Sequence, residues 1–165
     1  MTGTDGESRK NHNTSQKFGI ISRPEEAHIV RKMGVTGGRI VGIQGLNPLL
    51  AHMSAGDALC IPTVSSFASG AYDLFCKMQY LSGRGIEFQS GNERYLNFSS
   101  VRPLSAVEVE TLKFFASREA EFSRWVQCSK LPDVAKASLV KRIQAEYLAN
   151  VVAVFYNSGI KKRGN

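Results

Sequence analysis

The chain has 165 residues, 42% of them hydrophobic, and a formal charge of +7. That is long enough for one domain with a real core, and the apolar content is ordinary for a globular fold. No apolar run approaches the ~18 residues of a membrane span and no charged-then-apolar segment opens the sequence, so neither a membrane anchor nor a secretory leader is expected. The three cysteines, Cys60, Cys76 and Cys128, are odd in number and widely spaced. Cys60 and Cys76 lie in apolar segments and read as buried thiols, which suits a reducing cytoplasm. No metal-ligand spacing links the cysteines to His12, His28 and His52, and no metal or other cofactor is expected.

Residues 1–16 are polar and lack an apolar period, and are expected to be a disordered leader. Lys17–Ile21 reads as the first strand. Ser22-Arg23-Pro24-Glu25-Glu26 starts a short helix that ends by Gly34, with proline and acids in its first turn. Arg39–Ile43 reads as the second strand. The glycine-rich stretch between 34 and 45 has neither the dinucleotide fingerprint nor a phosphate-loop lysine, so it reads as loop. Asn47 is expected to cap a helix that Pro48 begins and Gly56 ends. Ala58–Val64 is a short apolar run of strand length, and the small residues from Ser65 to Gly70 suit a loop after it.

From Ala71 the apolar residues Leu74, Phe75, Met78 and Leu81 recur at helical spacing, and Gly83 and Gly85 end that helix. Ile86–Ser90 alternates apolar and polar as a strand, and Tyr95–Phe98 is expected to be a last short one. Ser105 and Glu108 stand in capping-box relation at the start of the longest helix, 105–128. Its apolar residues exceed one stripe: Leu112, Phe115, Phe122 and Val126 follow one side, with Phe114 and Trp125 well round from it. Such a surplus points to a further packing partner, in another subunit or in the same one. Pro132 breaks the chain before a final helix from about Val134 to Tyr156, closed by Asn157-Ser158-Gly159, and a basic tail. The order β-α-β-α-β-α-β-β argues a three-layer α/β domain with a mostly parallel sheet over 17–130, followed by a C-terminal unit over 131–165.

The run Gly56-Asp57, strand, loop, Asp73-Leu74, Gly85-Ile86-x-Phe88-x-Ser90 and Glu93 resembles the catalytic domain of the serine recombinases, the resolvase/invertase family. Ala120-Glu121-Phe122-Ser123-Arg124 is similar to the Ala-Glu-Phe-Glu-Arg run of that family's long helix. The likeness covers roughly residues 17 to 130 and implies a resolvase-like three-layer fold, a dimer through the long helix, and DNA as substrate. It matches Asp57 and Arg124. It also implies a serine nucleophile after the first strand and a set of arginines around the scissile phosphate, because charge growing on the phosphate oxygens must be met by cations.

Those cations are missing from this sequence. Laid over the family's Leu-Asp-Arg-Leu-x-Arg loop, Val64–Ser69 places Ser65, Ser66 and Ser69 at the aspartate and both arginines. Serine has neither the charge nor the forked donors of a guanidinium. Ser22 is the one nucleophile candidate, lies about two residues from the family position, and has a helix cap as its alternative role. The arginine expected before the next helix falls at Asn47. Losing one transition-state donor typically costs ~3 kcal/mol, so losing several leaves little strand exchange.

Three functions are consistent with the sequence. The first is a degenerate recombinase homologue that dimerises with itself or a related recombinase and contacts DNA through Lys136, Lys141, Arg142, Lys161, Lys162 and Arg163, opposed within 136–165 by Glu146 alone. The second is an active recombinase in which Arg23, Arg31 or Arg39 converges on Ser22. The third is a protein-interaction module with no nucleic-acid role.

Overall fold

The computed structural model describes residues 14–163, the last five by backbone alone. Residues 1–13 of the expected leader lie outside them. Gln16 already belongs to the domain: its carbonyl accepts from Ala58 N at 2.9 Å and its amide donates to Asp57 Oδ1 at 3.1 Å.

Four strands form one parallel sheet in the order β2-β1-β3-β4: β1 Lys17–Ile21, β2 Ile40–Gly42, β3 Ala58–Ile61 and β4 Glu87–Ser90. Ile20, Leu59, Ile61 and Phe88 point to one face and join the main core with α2 Leu46–His52 and α3 Ala71–Gly83. Gly19 and Cys60 point to the other face, under α1 Ala27–Lys32, where Val30 and Val35 pack on Cys60. The domain is therefore a three-layer α/β fold, as the alternation of elements predicts. On α3 the buried residues Ala71, Leu74, Met78 and Leu81 repeat by threes and fours. The helix stops where Gly85 takes a φ of +70°, a left-handed conformation that glycine adopts without strain.

Two long helices follow. α4, Ala106–Gln127, opens with the expected box: Ser105 Oγ accepts from Glu108 N at 3.1 Å and Ser105 N donates to Glu108 Oε1 at 3.2 Å. α5, Asp133–Arg163, turns back along it. Tyr147 of α5 packs on the rings of Phe115 and Phe122 at 6.4 and 6.2 Å, and Leu148, Val151 and Phe155 enter the main core. Part of the apolar surplus of α4 is thus covered within the same chain. No described helix is long and apolar enough to cross a membrane.

Several expectations need correction. Asn47 is inside α2 rather than capping it, because a 3-10 turn at Ile43–Gly45 runs straight into the helix and Leu46 N bonds to Ile43 O. Tyr95–Phe98 is not a strand. Residues 94–96 form a 3-10 turn, and one antiparallel bridge joins Phe88 to Phe98 before the side chain of Asn97 takes Ser90 N at 2.7 Å and ends the ladder. Gly159 does not stop α5, whose backbone stays helical to Arg163; a glycine ends a helix only where a C-cap turn follows it. Cys76 is exposed, since it sits about 200° round α3 from Leu74.

Candidate functional site at the carboxyl end of the sheet

In a parallel sheet all carboxyl ends share one edge, and the loops leaving it converge there. Ser22 follows β1, 62–70 follows β3 and 91–93 follows β4. Carboxylates organise this edge. Glu26 Oε1 accepts from Ser22 N, Ser22 Oγ and Arg23 N, each at 2.9 Å. Its Oε2 accepts from Ser66 Oγ, reaching across from the loop after β3. Partial burial pushes the acidity of Glu26 toward a higher pKa, but the hydrogen bonds from Ser66, Arg23 and Ser22 outweigh it and hold the carboxyl at about 2.

The loop after β4 adds a second acid. Glu93 Oε1 accepts from Thr63 Oγ1 at 2.7 Å, and Oε2 from Val64 N at 3.1 Å and Ser90 Oγ at 2.6 Å. The amino end of α3 takes two more. Asp73 Oδ2 accepts from Ser69 N at 3.0 Å. Glu119, a buried residue of α4, accepts from Ala71 N at 2.9 Å and Tyr72 N at 3.0 Å. Burial raises the pKa of Glu119; the two amides act against that and Asp73 adds to it. Gly70 is needed for this contact, because a Cβ there would fall 2.0 Å from Glu119 Oε1.

One cation reaches this edge through a described contact. Lys77 Nζ pairs with Asp73 at 2.9 Å, also donates to Phe67 O, and lies over the Phe67 ring. The hydroxyls of Ser22, Ser66 and Ser69 are therefore already bonded to the chain's own carboxylates, while Ser65 is bonded to none among the described residues. Ser22 donates to an acid far too weak as a base to take its proton near neutral pH. Above the Ser65–Ser69 loop, α5 forms the far wall of a cavity of about 550 Å³, lined on that side by Ala145, Ala149, Ala153 and Tyr156.

The other residues singled out in the sequence are dispersed. Asp57 lies at the opposite edge, before β3, where it accepts from Gln16 N and from Ser54 N at 2.8 Å, a turn-closing role. Arg124 is exposed near the end of α4. Arg39 stacks over Phe18 at 5.6 Å and Arg31 lies beside Gly37; among the described residues neither they nor the Arg23 side chain bonds to Ser22. Lys136 Nζ donates to Gln127 O at 2.8 Å, closing the end of α4, while Lys141 and Arg142 are exposed about 100° apart on α5. The side chains of Lys161, Lys162 and Arg163 lie outside the described residues.

Sequence reasoning missed the four carboxylates as a set. Ser22/Glu26 and Ser69/Asp73 are both four residues apart, a readable capping signal. Glu119 gives no such sign, because its partners are 47 and 48 residues away. No family model matches this chain, and a search of the curated proteins finds no match.

Proposed function

We propose that this chain is a catalytically silent, resolvase-like protein that works by assembly, in a reducing cytoplasm and with DNA close by. The observation that carries it is the Glu26 cluster. Ser22, the nucleophile candidate, and Ser66, which the overlay sets at an arginine's position, both donate to one carboxylate, and phosphoryl transfer needs the opposite charge there. What remains of the likeness is a long helix with a face to offer.

That face is a seam on α4. Val107, Phe114, Arg118 and Trp125 fall within about 20° of one line along the helix, and Val107, Phe114 and Trp125 are 75%, 55% and 77% exposed. Arg118 lies over Phe114 at 5.5 Å. The occupant we favour is a second copy of the chain. An antiparallel pair centred at the level of residue 116 sets Phe114 against Arg118 and Val107 against Trp125 of the second copy, whereas in-register parallel pairing stacks Arg118 on Arg118. The free cysteines Cys60, Cys76 and Cys128 agree with a reducing compartment. Exposed Lys141 and Arg142 supply non-specific phosphate contacts.

Light scattering across a concentration series tests the assembly. The parent should be dimeric at about 100 μM and Phe114→Ala/Trp125→Ala monomeric, since aromatic anchors dominate interfaces of this kind. A monomeric parent ends the proposal. A suicide DNA substrate should trap no adduct on the parent protein; an adduct that vanishes in Ser22→Ala would reinstate the active recombinase. Duplex binding by the parent should weaken with salt by a slope of about −0.9 per phosphate contact, and a flat response removes the DNA role.

A further inference from the structure

α1 is six residues long and covers the sheet over β1 and β3. It leaves the same face of β4 open. Between α1 and the end of β4 lies a groove of about 380 Å³ whose walls carry His28 and Lys32 from α1, Gln89 from β4, and Arg94 and Asn97 from the turn after it. Gly91 lets α1 approach this closely, because a Cβ there would come within 2.9 Å of Ile29.

The chemistry of the lining is one-sided. No acid lines the groove. Lys32 and Arg94 are exposed and, among the described residues, bond to no side chain or carbonyl, unlike Lys17, Lys77, Arg84 and Lys136, which are all engaged. His28 Nδ1 lies 2.5 Å from Glu25 O, an atom that only accepts, so Nδ1 carries the hydrogen and Nε2 is left for another partner. Asn97 spends its oxygen on Ser90 N and Gln89 spends its own on the Cys60 thiol at 3.7 Å, which leaves both amide NH₂ groups as donors. Cations and donors thus ring a polar hollow large enough for a small ligand.

The geometry points to a binding site for a phosphate-bearing ligand of about nucleotide size, with Lys32 and Arg94 holding the phosphoryl group and the amides of Gln89 and Asn97 fixing its orientation. The site borders the loop that carries Glu93, since Ser90 and Gly91 also line the groove, but no carboxylate lines it and it does not depend on the assembly through α4. The phosphoryl group could be a free nucleotide's or a nucleic acid's, and the test separates these sources.

Amide-resolved NMR titrations of the full chain with inorganic phosphate, AMP and a short DNA duplex are the measurement. AMP should give saturable shifts centred on Gln89, Gly91 and Asn97, inorganic phosphate the same residues more weakly, and each of Lys32→Ala and Arg94→Ala should weaken AMP binding about tenfold. Both residues are exposed, so the variants keep the fold, and an unchanged amide spectrum elsewhere checks it. Shifts at these residues with the duplex but not AMP assign the phosphate to nucleic acid. No shift at these residues with any of the three probes, or equal binding by the double variant, overturns the proposal.

Discussion

Replacing Glu119 with alanine is the sharpest test of how the site is held. Two amides in the first turn of α3, Ala71 N and Tyr72 N, lose acceptors at 2.9 and 3.0 Å, the first buried and the second part-buried, where α4 meets α3. An orphaned buried donor costs about 1–3 kcal/mol. Against this, the variant no longer buries a carboxylate, a burden visible in the raised pKa of Glu119. The balance is a loss of about 2–4 kcal/mol of folding stability. Gly70→Ala reports the same contact from the other side. Its φ of −167° suits any residue, so the penalty is steric: a Cβ 2.0 Å from Glu119 Oε1 and 2.9 Å from Gln144 Cβ. Alone it should cost about 1–3 kcal/mol. In the double variant the shortened side chain makes room, and the combined loss should fall short of the sum by more than about 1 kcal/mol. Urea unfolding at fixed m-value measures all three. A loss below about 1 kcal/mol for Glu119→Ala, or simple additivity with Gly70→Ala, would refute the idea that this carboxylate joins the two helices.

Two further outcomes follow from single side chains. The folded pKa of Glu26 is about 2, below its ordinary 4.5, so its contribution is complete above pH 4.5 and is lost as the pH falls toward 2. At this partly exposed site, solvent screening leaves about 1–2 kcal/mol. The stability gap between parent and Glu26→Gln should therefore narrow from pH 6 to pH 3; a constant gap contradicts the assignment. Burial pushes the Cys60 thiol up to about 11, with Lys17 acting against it and Glu87 adding to it, whereas Cys76 and Cys128 are exposed. A thiol reagent at pH 8 should label two cysteines quickly and the third only on unfolding, and three fast thiols would show that the layer under α1 is open.

Periodicity carried most of the fold. Leu74, Met78 and Leu81 on α3, and the short runs of β1, β3 and β4, are set by which residues must face the core, and that signal is local. Two failures come from polar or turn geometry that an apolar pattern does not report. Asn97 ended a ladder that the apolar run at Tyr95–Phe98 was expected to continue, and a preceding 3-10 turn did the capping expected of Asn47. At the site, that Ser65, Ser66 and Ser69 bring no charge to the loop after β3 was legible from residue type alone. The carboxylates gathered around it were not fully legible, because Glu119 reaches α3 from a different helix.

The two polar surfaces of the domain are consistent with one another. A chain of net charge +7 that gathers Glu26, Asp73, Glu93 and Glu119 at the carboxyl edge of its sheet must carry its unspent positive charge elsewhere. The cations near the core are consumed in holding backbone: Lys17 on Met33 O, Arg84 on Leu50 O and Met53 O, Lys136 on Gln127 O. Lys32 and Arg94 are not consumed this way, and they flank the one face of β4 that no helix covers. An anion approaching the domain therefore meets repulsion at the Glu26 cluster and attraction between α1 and the end of β4. Placing arginine at Ser66 alone would not reverse this, because Glu26, which accepts from Ser66, would pair with the new guanidinium before any phosphate could.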